Sequence, residues 1–172
     1  MAKNPARMYR KIMQHAYTRR EFMGGVPGNR ILQYESGKAN GDFPVVLNLI
    51  PSERGQVRHT ALEAMRITAV RALDSAVGRE NYFLKVRVYP HHVLRQNKQA
   101  SGAGADRVSM GMRLAFGKAI GTAARVEAGQ TLLTIKVTPK GFTAAKEAMR
   151  KSYNKVASPC RIDVQGLELV SF

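Results

Sequence analysis

The fold is decided by residues 57–89, VRHTALEAMRITAVRALDSAVGRENYFLKVRVY. In this stretch a helical pattern of apolar residues is followed by the alternating pattern of a strand. In the first part, apolar side chains recur every three or four residues, which predicts an amphipathic helix from Val57 to Val77. Gly78 suits the end of that helix. In YFLKVRVY, apolar and polar residues alternate, which predicts a strand with one buried side. The apolar stripe of the helix is Leu62, Met65, Ala69, Leu73 and Ala76, and that of the strand is Leu84, Val86 and Val88.

A second strand and a second helix follow further along the chain. TLLTIKVT alternates in the same way, and Thr138 and Pro139 suit the N-cap and the first position of a helix. We expect SP at residues 158–159 to end that helix. Its predicted apolar stripe is Phe142, Ala145, Met149, Tyr153 and Val156.

Shorter strands complete the predicted architecture. CRIDVQGLELV predicts a short strand pair or one strand with a bulge at Gly166. RILQYE and PVVLNLI predict two further strands, with SGKANGD between them as a hairpin connection. We therefore expect one α+β domain over residues 1–172, a two-layer sandwich of mixed strands whose two main helices cover one sheet face.

The positive charge of the chain is high and unevenly distributed. Lys and Arg number 28 against 12 acidic residues, a net charge of +16, and 44% of the residues are hydrophobic. That apolar content predicts a folded domain rather than a disordered basic tail. Residues 1–30 hold seven basic residues and one acid, residues 91–126 hold six and one, and residues 52–80 hold five and four. The excess therefore lies in a basic N-terminal extension, residues 1–30, and a glycine-rich loop, residues 95–122.

The sequence lacks the features that are typical of several classes of protein. No apolar run approaches the roughly 18 residues of a transmembrane helix, and MAKNPARMYRKIMQHAYTRR lacks the apolar stretch of a secretory signal, so we expect a cytoplasmic protein. The single cysteine, Cys160, suits a small apolar position. GMRLAFGKAI resembles a phosphate loop, but five residues separate Gly111 from Gly117, and Ala119 stands where a Ser or Thr would hold magnesium.

The acidic residues and histidines show no spacing that is typical of catalysis or metal binding. We expect Glu63 and Asp74 to pair with Arg66 and Arg71 on their helix. The neighbouring histidines at residues 91–92 would point to opposite faces of a strand, so they do not predict a shared metal. We expect no catalytic residues, no metal and no cofactor.

The charge favours a polyanionic partner, above all RNA. Arg predominates over Lys in the extension and the loop, and its planar guanidinium suits phosphate and stacks on bases. Aromatic side chains offer stacking surfaces, and glycines let the backbone approach a phosphate strand. The alternatives are a flexible solvated loop, a free RNA chaperone or DNA-compacting protein, and an RNA-modifying enzyme. The aromatic residues are Tyr9, Tyr17, Phe22 and Phe116, and the glycines are Gly102, Gly104, Gly111, Gly117 and Gly121.

Most of the chain resembles one known family. The segments NPARMYRK, FMGGVPGNRI, LEAMRITAVRAL, FLKVRVYPHHVLRQNK and SGAGADRVSMGMRLAFGKAIGTAARVEAGQ, with the helix after them, carry the resemblance. They resemble the ten-e family of archaeal and eukaryotic large-subunit ribosomal proteins, the counterpart of bacterial large-subunit protein sixteen. The resemblance covers about residues 4 to 155, and GADRVSMGMRLAFGKAIGTAARV is its most specific stretch.

The resemblance implies a fold, partners and contact residues. It implies a sandwich with a hammerhead-like strand arrangement, bound as a monomer to large-subunit ribosomal RNA between the central protuberance and the peptidyl-transferase region, beside other ribosomal proteins. It also implies that the loop reaches towards the tRNA-binding cleft. The loop tip near tRNA would be Gly102, Ala103, Gly104, Ala105 and Asp106. The expected RNA-binding residues are Arg7, Arg10, Lys11, Arg19, Arg20, Arg30, Arg95, Lys98, Arg107, Arg113, Lys118 and Arg125.

Overall fold

The structure is a computed structural model that describes residues 5–10, 12, 14–107, 110–166 and 168. These residues form two sheets and two α-helices, joined by loops and short 3-10 turns. In chain order the elements are β1 (Glu35–Gly37), β2 (Val45–Pro51), β3 (Gly55–Arg58), α1 (His59–Ala76), β4 (Tyr82–Val86), β5 (His92–Gln96), β6 (Lys118–Val126), β7 (Leu133–Val137), α2 (Phe142–Tyr153) and β8 (Cys160–Gln165).

The larger sheet contains the main apolar core. Its five strands have the order β1-β4-β7-β2-β8, and every neighbouring pair is antiparallel. The two helices pack against each other, and α2 also contacts β2 and β7. Leu47, Leu84 and Ile135 of the sheet share one fully buried cluster with Leu62 and Met149 of the helices. Most of the apolar residues predicted for these strands and helices therefore form the core. The predicted stripes are wrong at Ala76 and Tyr153, which are exposed because each is the last residue of its helix.

The smaller sheet has three antiparallel strands in the order β3-β6-β5. Val57 and Val93 are buried on its two outer strands. The register shifts between β5 and β6, because Leu94 pairs with Gly121 whereas Arg95 pairs with Ala119. One extra residue of β6 therefore forms a bulge close to the end of the ladder, and bulges of this kind redirect the side chains beside them.

The α+β class and the two main helices are confirmed, but the predicted hairpin between RILQYE and PVVLNLI is wrong. Only the last residue of RILQYE lies in β1, which pairs with β4, while β2 pairs with β7 and β8. Two strands therefore separate β1 from β2 in the sheet. The strands also divide between two sheets, and all their pairs are antiparallel. Alternation along a strand reports which side is buried, but it does not report which strand lies next to it.

The ends of several elements differ from the prediction. Helix α1 begins at His59, because Val57 belongs to β3 and pairs with Ala124. Thr138 makes no side-chain cap, and Pro139–Gly141 forms a 3-10 turn before α2. The C-terminal segment forms the single strand β8, and residues 167 and 169–172 lie outside the described residues.

The glycine-rich loop is shorter than predicted. Strand β5 extends to Gln96 and strand β6 begins at Lys118, so the loop comprises residues 97–117 rather than 95–122. It contains two short 3-10 turns, at Ala105–Arg107 and Gly111–Leu114. Its two ends are therefore fixed by the ladder of the smaller sheet.

One of the two expected ion pairs on α1 is present. The guanidinium of Arg66 lies 2.6 Å from the carboxylate of Glu63. Asp74 instead accepts a 2.6 Å hydrogen bond from the hydroxyl of Tyr82, so the predicted pair of Asp74 with Arg71 is wrong. Burial first, and then this hydrogen bond, raise the pKa of Tyr82.

Candidate nucleic-acid interface

The described residues of the N-terminal extension lie across the smaller sheet and are part of the folded body. Tyr9 is buried, its ring centroid 5.4 Å from the guanidinium carbon of Arg58. Its hydroxyl accepts a 3.1 Å hydrogen bond from Arg58. Met23 is buried as well. Isolated apolar anchors therefore hold a segment whose sequence lacks the period of a helix or a strand.

Strands β5 and β6 hold the middle of the extension through hydrogen bonds to the backbone of the extension. The guanidinium of Arg125 donates to the carbonyls of Gln14 and His15, the latter at 2.9 Å. The Tyr17 amide donates to Nδ1 of His92 at 2.8 Å, and the Tyr17 carbonyl accepts from β5 at 3.0 Å. Burial first, and then the charge of Arg125, lower the pKa of His92 to about 4. His92 is therefore neutral at pH 7 and able to accept this hydrogen bond.

A second histidine holds the end of the extension in the same way. The Arg30 amide donates a 2.8 Å hydrogen bond to Nδ1 of His59. Burial first, and then Arg58 and Arg30, lower the pKa of His59, so this ring is also neutral. Asn29 accepts a hydrogen bond from the buried hydroxyl of Thr122 on β6. No signal in the sequence marks these histidines as acceptors for distant amides.

Arg95 joins the extension to the glycine-rich loop. Its guanidinium carbon lies 4.3 Å from the ring centroid of Tyr17 and 4.1 Å from that of Phe116. The two rings also contact each other edge to face, with centroids 6.3 Å apart. The N–H donors of a stacked guanidinium point outwards in the plane of the guanidinium itself, where they remain able to contact phosphate. The two most basic segments of the chain therefore meet at Arg95.

The glycine-rich loop exposes both apolar and cationic side chains. Four large apolar residues, Met110, Met112, Leu114 and Phe116, are all exposed, the second of them by 73%. At its end, a Cβ on Gly117 would lie 2.7 Å from the backbone of Gln96, so only glycine fits there without a shift. The predicted tip, Gly102–Asp106, lies on the surface, with Gly102 and Gly104 at positive φ.

The predicted RNA-binding cations have different surroundings. Arg10 forms a 2.7 Å ion pair with Glu53, and Arg125 uses its donors on the extension, so both have roles inside the fold. Lys11 lies outside the described residues. The others with exposed positions are Arg7, Arg19, Arg20, Arg30, Arg95, Lys98, Arg107, Arg113 and Lys118.

A third basic surface lies on helix α2, outside the two segments that the sequence predicts to be most basic. Helix α2 buries one side and exposes Lys146 and Arg150 on the other. Its one acid, Glu147, pairs with Lys151 at 2.8 Å. The signal was available, because Lys140 and Lys155 flank the helix and no other acid lies between them.

Comparisons with known proteins show the family of the chain. The family model described as Ribosomal protein L16p/L10e matches residues 12–163. The chain belongs to this family. It is 56% identical over 171 residues to a protein of Methanocella arvoryzae, with 99% of each chain covered. It is 54% identical over 162 residues to one of Methanoculleus marisnigri, covering 94% of this chain and 95% of the relative. A protein of Halobacterium salinarum is 47% identical over 168 residues, with 96% of each chain covered.

All three relatives bear the name large ribosomal subunit protein uL16, so the family expected from the sequence is confirmed. Within the described ranges, no helix is long and apolar enough to cross a bilayer. Over the same residues, no group of three His, Cys, Asp or Glu side chains could hold a metal ion. Cys160 is free, and burial raises the pKa of its thiol to about 11.

Proposed function

We propose that the chain is a non-enzymatic, structural protein of the large ribosomal subunit in the cytoplasm, where it binds ribosomal RNA and supports translation. Its relatives are large-subunit proteins and are similar over nearly their whole length. The observation that carries the proposal is the meeting of the basic extension and the basic loop at Arg95. One RNA surface can therefore engage both segments at once.

The contacts with RNA are mainly electrostatic. Lys and Arg side chains bind phosphates, which fixes the position of a protein but reads little sequence. The exposed cations of the extension and the loop, together with Lys146 and Arg150 on α2, supply such contacts. Specificity then comes from the shape of the folded RNA. The single domain over residues 1–172, with its hammerhead-like strand arrangement, presents these cations as one body.

The glycine-rich loop projects towards the tRNA-binding and peptidyl-transferase region. Its four large apolar residues are more than half exposed, which favours a partner that offers base faces as well as phosphates. In this proposal Gly102–Asp106 lies nearest to tRNA. Neighbouring ribosomal proteins and ribosomal RNA surround the remaining surface, and the chain is a monomer within the particle.

The test is a titration of the full chain with large-subunit RNA at several salt concentrations. If about six cations engage phosphate, log affinity falls against log salt with a slope of roughly −4 to −5. Cosedimentation with large subunits at moderate salt separates this role from that of a free RNA chaperone. A slope near zero, or a chain that stays away from large subunits, contradicts the proposal.

A further inference from the structure

A cleft lies where the end of the extension meets the end of the glycine-rich loop. It has a volume of about 450 Å³. Phe22, Met23 and Gly24 form one side, and the segment from Phe116 to Ala119, with Arg95, forms the other. The β6 bulge and the close approach of Gly117 to Gln96 fix the second side. Elements that are anchored independently of each other therefore form the walls.

Two aromatic side chains line this cleft and are open to solvent. Phe22 is 64% exposed and Phe116 is 63% exposed, although Met23 between the two segments is buried. Arg95 covers part of the Phe116 ring and holds it in place. Exposed aromatic faces are the surfaces on which single-stranded bases stack. Each ring is therefore available to a flat ligand without a rearrangement of the core.

The charge beside the cleft favours an anionic ligand. Lys118 lines the cleft and is exposed, and among the described residues no carboxylate lies within ion-pair distance of it. The guanidinium of Arg95 makes no hydrogen bond with any described residue, so its donors are available along the edge of the stacked group. Arg19 and Arg20 lie just before Phe22 in the chain. Apolar faces bordered by cations match the two parts of a nucleotide.

We propose that this cleft binds one unpaired nucleotide of large-subunit RNA, whose base stacks on Phe22 and Phe116 and whose phosphate contacts Lys118. The inference rests on the proposed function and deepens it, because it assigns base stacking to a defined place. Phosphate contacts elsewhere on the surface accept any strand. This cleft requires a base that has left its helix.

The test uses the full chain and a single-stranded RNA hexamer with 2-aminopurine at one central position. A second hexamer is abasic at that position. Stacking in the cleft quenches the 2-aminopurine emission, and the abasic hexamer binds about tenfold more weakly. F22L and F116L each remove most of this tenfold difference, whereas F116Y keeps it because the ring remains. K118Q keeps the tenfold difference between the two hexamers and makes the slope of log affinity against log salt shallower by about 1.

A matched control is Y153L, which removes an exposed aromatic ring from α2, a helix that packs on the other sheet. It keeps the tenfold difference. Equal binding of the two hexamers, unquenched emission, or equal behaviour of F116L and Y153L overturns the inference. So does a result in which F22L and F116L leave RNA binding unchanged and instead remove binding to a neighbouring ribosomal protein. If the salt slope on large-subunit RNA is retained in these cases, only the cleft has failed and the proposed function stands.

Discussion

The two sheets are stabilised by different kinds of interaction. The five-stranded sheet and the helices share a core of fully buried apolar side chains. The three-stranded sheet is small, and much of its contact with the extension is polar, through Arg125 and His92. Apolar burial involves no titrating group and adds up over many side chains, whereas single hydrogen bonds contribute little each.

This difference separates stability from binding within one domain. Helix α1, which covers the core, carries nearly balanced charge, and its Glu63–Arg66 pair is internal. Among the described residues, exposed cations lie around the smaller sheet and also on the outer side of α2, where Lys146 and Arg150 are exposed. Substitutions in the larger sheet should therefore change unfolding, and substitutions around the smaller sheet should change binding.

The largest effect on stability is expected in the core of the larger sheet. Leu47→Ala removes a side chain with no exposed surface, which should lower the free energy of unfolding by about 2–5 kcal/mol. Leu32→Ala removes the same atoms at a position that is 80% exposed and should change it by no more than about 0.5 kcal/mol. Urea denaturation of the two variants measures both values. Equal losses would show that the larger sheet is not the stabilising core.

The next effect is expected where the loop leaves the smaller sheet. In Gly117→Ala the new Cβ lies 2.7 Å from Gln96 and 2.8 Å from Asn97, both backbone contacts, so the strand ends must separate. We expect a loss of about 1–3 kcal/mol, with faster amide exchange in β5. Gly28→Ala is the control, because no atom lies within 4 Å of its Cβ. A Gly117→Ala variant as stable as Gly28→Ala would mean that the ladder end tolerates side chains.

A pH-dependent effect is expected at the contact of the extension with β5. Because burial and then Arg125 lower the pKa of His92 to about 4, detachment of the extension exposes the ring and raises its pKa towards the ordinary 6.5. The contact therefore has full strength above about pH 6.5 and weakens as the pH falls from there to about 4. The protection factor of the Tyr17 amide, followed by hydrogen exchange, should decrease over that range.

His92→Asn provides the control for this pH dependence. The Asn side-chain oxygen can accept the Tyr17 hydrogen bond, and it does not titrate, so protection of the Tyr17 amide should stay constant with pH. The Arg30 amide reports on His59 in the same experiment. Constant protection in the unsubstituted chain would show that His92 does not hold the extension.

The sequence predicts those parts of the fold that local periodicity controls. The predicted stripe of α1 is buried except at Ala76, and the predicted buried side of β4 and the apolar residues of β7 are buried as expected. Strand neighbours were not predictable, because β1 and β2 are adjacent in the chain but separated by β4 and β7 in the sheet. Pairing depends on contacts between distant segments, and the alternation within one strand does not encode them.

For the candidate site, the sequence predicts the location of the charge better than the role of each residue. Both basic segments meet at one place, but Arg10 and Arg125 also hold the fold through Glu53 and through backbone carbonyls. A charged residue has the same appearance in a sequence whether its partner is internal or external. The cleft depends on Phe22 and Phe116, which are 94 positions apart in the chain and could not be joined without the structure.

The smallest effect on stability is expected for the combined change of Arg107, Arg113 and Lys118 to Ala. All three residues are exposed, and no described acid forms an ion pair with them, so the free energy of unfolding should change by no more than about 0.5 kcal/mol. Removing three phosphate contacts should nevertheless make the salt slope on large-subunit RNA shallower by about 2–3 and impair tRNA accommodation or subunit maturation. The matched control is Lys85→Ala, at a partly exposed cation that already pairs with Glu35 at 2.6 Å, and it should leave that slope nearly unchanged. A triple variant that unfolds as easily as Leu47→Ala would mean that these cations stabilise the fold. The separation of stability from binding between the two sheets would then be wrong.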